Sequence, residues 1–162
     1  MPRVFTTLLA VLVATQALSA QTLSGTWKIV AAEDLRPDGS VARLPWGPHP
    51  IGGIVVKGGA CYVQIMSGDT PSFADGTEPI GERMKAALLS TYIAYSGPCT
   101  VDDAAGTVVL KVEAAWRPDY VGTEQKRFFR FEKSRLLFGP AQGSLRLGTE
   151  SLTRRLTLER VP

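Results

Sequence analysis

The side chains that could take part in chemistry are few and widely spaced. His49 is the one histidine and lies between Pro48 and Pro50. No residue near it in sequence would orient it as a general base, so a serine or cysteine nucleophile would lack its usual proton acceptor. Asp102-Asp103 sits in a turn signal, Glu113 alternates outward, and Glu124 follows Gly122-Thr123 at a strand start. Two thiols, Cys61 and Cys99, and a distant histidine do not make a tetrahedral metal set. There is no glycine-rich phosphate loop, CxxC pair or HExxH motif. No catalytic residue, cofactor or metal site is therefore expected. What is left is binding chemistry: a guanidinium at Arg127, amides at Gln64 and Gln125, and aromatic faces at Tyr62, Tyr95, Trp116 and Phe129.

Strands must gather those residues. From Leu23 onward, short apolar and β-branched runs are separated by turn residues, the spacing of an all-β sandwich or barrel. The pattern predicts strands over 23–32, 53–56, 61–66, 90–101, 107–116, 123–131, 135–138, 144–148 and 153–161, about the number that closes a small barrel. Asp38-Gly39 and Lys57-Gly58-Gly59 mark tight turns. The prolines between Leu44 and Pro50 confine that segment to a structured loop. One short helix is expected over 78–89, with Thr77 as N-cap, Pro79 in its first turn, and an apolar stripe of Ile80, Met84, Ala87 and Leu88.

Alternation then sorts the faces. If Lys111 and Glu113 stay in water, Val108, Leu110, Val112, Ala114 and Trp116 turn inward. If Lys126 and Arg130 stay in water, Gln125, Arg127, Phe129 and Phe131 turn inward. An inward guanidinium needs a partner to offset its lost hydration. Two readings are open. In one, Arg127 with Gln125, Gln64 and Tyr95 fixes the acidic or carbonyl end of a small hydrophobic ligand whose body lies on Trp116 and Phe129. In the other, Arg127 sits at a rim, paired with a backbone carbonyl or a carboxylate, or stacked on an aromatic ring.

At 162 residues the chain has room for one domain. Residues 1–20 read as a signal peptide: Arg3 near the start, an apolar run from Leu8 to Val13, and small residues at Ala14, Ala17 and Ala20, with cleavage after Ala20. The apolar run is far shorter than the roughly 20 residues of a spanning helix. The remaining domain, 21–162, is expected in the periplasm or outside the cell, without stable membrane insertion. An exported chain meets an oxidising compartment, where Cys61 and Cys99 tend to pair. Charge is uneven: residues 21–110 hold 6 basic and 9 acidic groups, and 111–162 hold 11 basic and 6 acidic. That basic third suits either an anionic ligand or surface, or solvent-facing strand positions. No nucleic-acid motif is present and no nucleic-acid partner is expected.

Gly25-Thr26-Trp27-Lys28 resembles the Gly-x-Trp opening of calycins. It is joined by Pro37-Asp38-Gly39, by Pro45-Trp46-Gly47-Pro48-His49-Pro50-Ile51-Gly52, by Ala94-Tyr95-Ser96-Gly97, by the run from Trp116 to Gln125, and by Leu158-Glu159-Arg160-Val161. In that order the set resembles the bacterial and fungal lipocalin-like domain family over roughly residues 23 to 161. The resemblance implies an all-β, antiparallel calycin-type barrel with a central cavity and a ligand. It also implies that Trp27 packs beneath Arg160 at the barrel floor. Leu110 stands where many members carry a histidine, and Cys61 and Cys99 look like an added cross-strand staple.

Three functions fit these features: a binding protein for a small hydrophobic or weakly acidic molecule, lined by Tyr62, Gln64, Tyr95, Trp116, Gln125, Arg127 and Phe129; a cavity enzyme of secondary metabolism, of isomerase or cyclase type; or a structural barrel filled by its own side chains.

Overall fold

The computed structural model describes residues 21–70 and 81–162; the leader, Thr77, Pro79 and Ile80, and the side chains of Met84 and Ala87, lie outside the described set. In chain order the elements are β1 (Gly25–Leu35), β2 (Val41–Arg43), β3 (Pro50–Lys57), β4 (Ala60–Ser67), α1 (Glu82–Thr91), β5 (Tyr92–Asp102), β6 (Thr107–Lys111) and β7 (Ala114–Ala115). A 3-10 turn (Pro118–Tyr120), β8 (Glu124–Glu132), β9 (Arg135–Gly139), β10 (Leu145–Leu147) and β11 (Glu150–Arg160) complete the chain. The helix expected over 78–89 runs from Glu82 and passes straight into β5 at Tyr92.

Every strand pairing is antiparallel, and β1 bonds to β3 on one side and β11 on the other. That double pairing closes an eight-strand barrel of β1, β3, β4, β5, β6, β8, β9 and β11, with β2, β7 and β10 as outer additions. The interior is one apolar cluster, including Trp27, Ile29, Ile54, Val63, Ile65, Tyr95, Leu110, Phe129, Leu136, Phe138 and Leu158.

Two irregularities shift the period-2 alternation. In β1 the register against β11 slips between Ile29 and Ala31. Trp27 and Ile29 therefore face in, and beyond the slip so do Ala32 and Asp34. On the other side of the barrel, the single strand expected over 107–116 is broken. Cys99 pairs with Leu110 but Ser96 pairs with Ala114, so Gly97 and Pro98 oppose three residues, Lys111 to Glu113. A Cβ on Gly97 would lie 1.9 Å from the Lys111 carbonyl oxygen, so only glycine admits this approach. Val108, Leu110 and Val112 face in as alternation predicts, whereas Ala114 is exposed because the bulge has changed the phase.

The two ends are sealed differently. At the floor, Leu23 is fully buried and its carbonyl accepts a 2.8 Å bond from the Trp27 indole. The Arg160 guanidinium lies 4.4 Å from the Trp27 ring centre and donates to the Ser24 and Thr22 carbonyls. At the opposite end Asp34, with no exposed surface, accepts two bonds from Arg154, at 2.7 and 2.9 Å, and one from Arg43 at 2.7 Å. Arg154 in turn lies 4.9 Å from the Trp46 ring centre. Burial alone would raise the Asp34 pKa; the hydrogen bonds and charges of Arg154 and Arg43 outweigh it and hold the carboxyl below the usual aspartate range.

Cys61 and Cys99 form a disulfide with Cα atoms 5.7 Å apart, joining β4 to β5 across 38 residues of sequence. No helix of the described residues is long and apolar enough to cross a membrane.

Two outcomes are expected. Replacing both cysteines by alanine should cost about 2–4 kcal/mol in urea unfolding. Asp34→Asn should cost about 3 kcal/mol at neutral pH, the lower part of the range for a broken buried pair, because Arg43 is 43% exposed and rehydrates. A depressed carboxyl pKa stabilises above the unfolded value of about 4 and ceases to do so as pH falls through the folded value. The difference between wild type and Asp34→Asn should therefore shrink in unfolding curves taken below about pH 4.

Candidate functional site

The aromatic and polar residues at the β5–β7–β8 corner form one connected set. Pro118 begins the 3-10 turn, a position where its missing amide donor costs nothing. The turn folds Tyr120 back against Trp116, with ring centres 5.0 Å apart and edge-on, and against Tyr95 at 5.5 Å. The Tyr120 hydroxyl donates to Gln125 Oε1 at 2.9 Å, and Gln125 Nε2 donates to Thr123 Oγ1 at 2.8 Å. Thr123 closes the loop by donating to the Tyr120 carbonyl at 2.7 Å.

Arg127 is half-buried against this set. It donates to Gln125 Oε1 at 2.9 Å, to the Tyr120 hydroxyl at 3.4 Å and to the Lys126 carbonyl at 2.9 Å, and its guanidinium lies 5.9 Å from the Tyr95 ring centre. All these partners are neutral. Tyr95 is almost fully buried; burial pushes its phenol above the ordinary value although the Arg127 charge opposes this, so the hydroxyl stays protonated at neutral pH. Trp116 Nε1 is buried with no hydrogen-bond partner, the one such side-chain atom among the described residues. An unpaired buried donor costs about 1–3 kcal/mol.

Four residues expected from alternation and composition, Tyr95, Trp116, Gln125 and Arg127, thus come together, while Phe129 lies deeper, edge-on to Phe131 at 5.9 Å. Tyr62 and Gln64 do not join them. Cys61, Val63 and Ile65 of β4 face in, which turns Tyr62, 54% exposed, and Gln64 to the outer face. Sequence reasoning missed Tyr120 and Thr123, although Pro118 was the available signal for a turn that folds back on Trp116. His49 is exposed on its loop, its Nδ1 3.3 Å from Asp69 Oδ1 and remote from this set.

The centre of the barrel is filled. The space between Arg127, Gln125, Tyr95, Leu110 and Phe138 measures about 10 Å³, room for about one water. The central cavity implied by the resemblance is occupied by the protein's own aromatic and branched side chains.

The family model described as lipocalin-like domain matches residues 24–161. The chain belongs to the lipocalin-like domain family. No curated protein and no solved structure matches it. In this lipocalin-like barrel, Leu110, on β6 opposite Gln125 in the register and next to Arg127, is buried and apolar, so its side chain offers no proton acceptor there.

Tyr120→Phe removes a donor to Gln125 and an acceptor for Arg127 while keeping the ring contacts. It should lower stability by about 1 kcal/mol in thermal or urea unfolding. An unchanged midpoint would mean that the hydroxyl network carries no weight.

Proposed function

We propose that this lipocalin-like protein is exported and binds a small hydrophobic or weakly acidic molecule by its acidic or carbonyl end at Arg127. One observation carries the reading: an inward-turned cation has only neutral partners, and a buried indole N–H with no partner lies in the same aromatic cluster. A carboxylate displacing Gln125 and Tyr120 from Arg127 exchanges neutral acceptors for an anion whose two oxygens match the guanidinium fork. Trp116 Nε1 supplies a second donor, and the faces of Tyr95 and Trp116 hold the apolar body. Because the resting interior measures about 10 Å³, binding requires the side chains that line it to move apart. Export is supported by the leader pattern of residues 1–20 and by the disulfide, which suits an oxidising compartment.

The small interior volume favours a second reading, a barrel closed on its own side chains with no ligand. Calorimetric titration of the 21–162 domain with octanoate separates the two. The binding reading predicts saturable uptake that Arg127→Gln weakens about tenfold or more, the loss of a charged hydrogen bond. Absence of heat, or equal affinity in Arg127→Gln, selects the closed barrel.

A further inference from the structure

A second concavity lies at the end of β9. Where β9 ends at Gly139 and the chain leaves through Pro140, a groove of about 530 Å³ opens along the wall between β8 and β11. That volume falls in the range of small-molecule sites. Its apolar surface includes Phe128, 42% exposed, together with Leu35, Leu137, Pro37 and Pro140. Gly139 lines the groove, and a Cβ there would lie 2.2 Å from the Arg154 carbonyl oxygen, so only glycine admits this approach of β9 to β11.

The charged part of the lining is of one sign. Arg36, Arg130, Arg154 and Arg155 line the groove and no acidic residue does. Arg130, Arg154 and Arg155 each use the Nε and Nη2 edge on a carboxylate outside the lining: Glu132, Asp34 and Glu33. That side-on pairing holds each guanidinium in place and leaves Nη1 without a hydrogen bond among the described residues. Fixed guanidinium planes with unused donors suit planar anions, and they stack on flat π-systems.

The geometry points to this groove as a second binding site, independent of Arg127, for an aromatic organic anion: a flat apolar body on Phe128 and the prolines, and a carboxylate or sulfonate on the spare Nη1 donors. It draws on three arginines of the basic C-terminal third, each ion-paired along one edge, and on Arg36, which is paired with Glu150.

The probe is 1-anilinonaphthalene-8-sulfonate, titrated into the 21–162 domain and followed by fluorescence and by amide NMR shifts. Saturable binding is expected, with shifts centred on Gly139 and Arg155. The double variant Phe128→Ala/Arg130→Gln changes two exposed side chains, so the fold is retained. It should weaken the probe about tenfold or more, as expected for losing an aromatic anchor and an arginine donor. Octanoate binding should be unaffected by that variant, and Arg127→Gln should leave the probe's affinity as it was. Equal probe affinity in the double variant, loss of the probe in Arg127→Gln, absence of any binding, or attachment only to phosphatidylglycerol vesicles would each overturn the assignment.

Discussion

Strand β1 gives one hydrogen-bonding edge to β3 and the other to β11, and this double pairing turns a ladder of short strands into a closed wall with an inside. A closed sheet has no free edges to satisfy, and each strand then presents alternate residues to a shared centre. Inwardness is thus a property of closure as much as of any one residue. Arg127 is half-buried only because β8 is held between β6 and β9 in that wall. The seal of Trp27 by Arg160 exists only because the first and last strands meet at Trp27 and Arg160.

Two arginines at this wall show what a guanidinium does when it is withdrawn from water. Arg154 has its anion built in, Asp34, and lies over Trp46; it closes one end of the barrel. Arg127 has no anion among the described residues: a glutamine, a tyrosine hydroxyl and a backbone carbonyl satisfy it in part. The first guanidinium has its charge matched within the fold, and the second has neutral partners. In the groove beside Gly139, Arg130 and Arg155 also hold carboxylates, and what sets them apart is the exposed Phe128 and the prolines beside them.

Fold class was legible because hydrophobic alternation and turn residues act locally. Lys111, Glu113, Lys126 and Arg130 declare the wet face of their strands, and the register of β8 follows from them. Chemical type alone suggests Tyr62 and Gln64 as lining residues, but strand phase decides, and the inward Cys61 beside them sets the opposite face. Local pattern could not show the slip near Val30, which turns Asp34 inward, nor the bulge opposite Gly97, which turns Ala114 outward; each arises from a partner strand far away in sequence. The filling of the centre was equally hidden, because it depends on how side chains from strands distant in sequence, such as Val63, Leu110 and Phe138, meet. The groove depends on where β9 stops relative to β8, a difference in strand length that no single segment reveals.

In the proposed function Arg127, a guanidinium with neutral partners, takes up an anion. Its guanidinium NMR signals, followed during titration with a medium-chain carboxylate at constant ionic strength, test this most directly. The account predicts a saturable shift at Arg127 while the Arg154 signals, locked on Asp34, stay still. Signals from Arg127 that do not move, or that move only in step with Arg154, would contradict it.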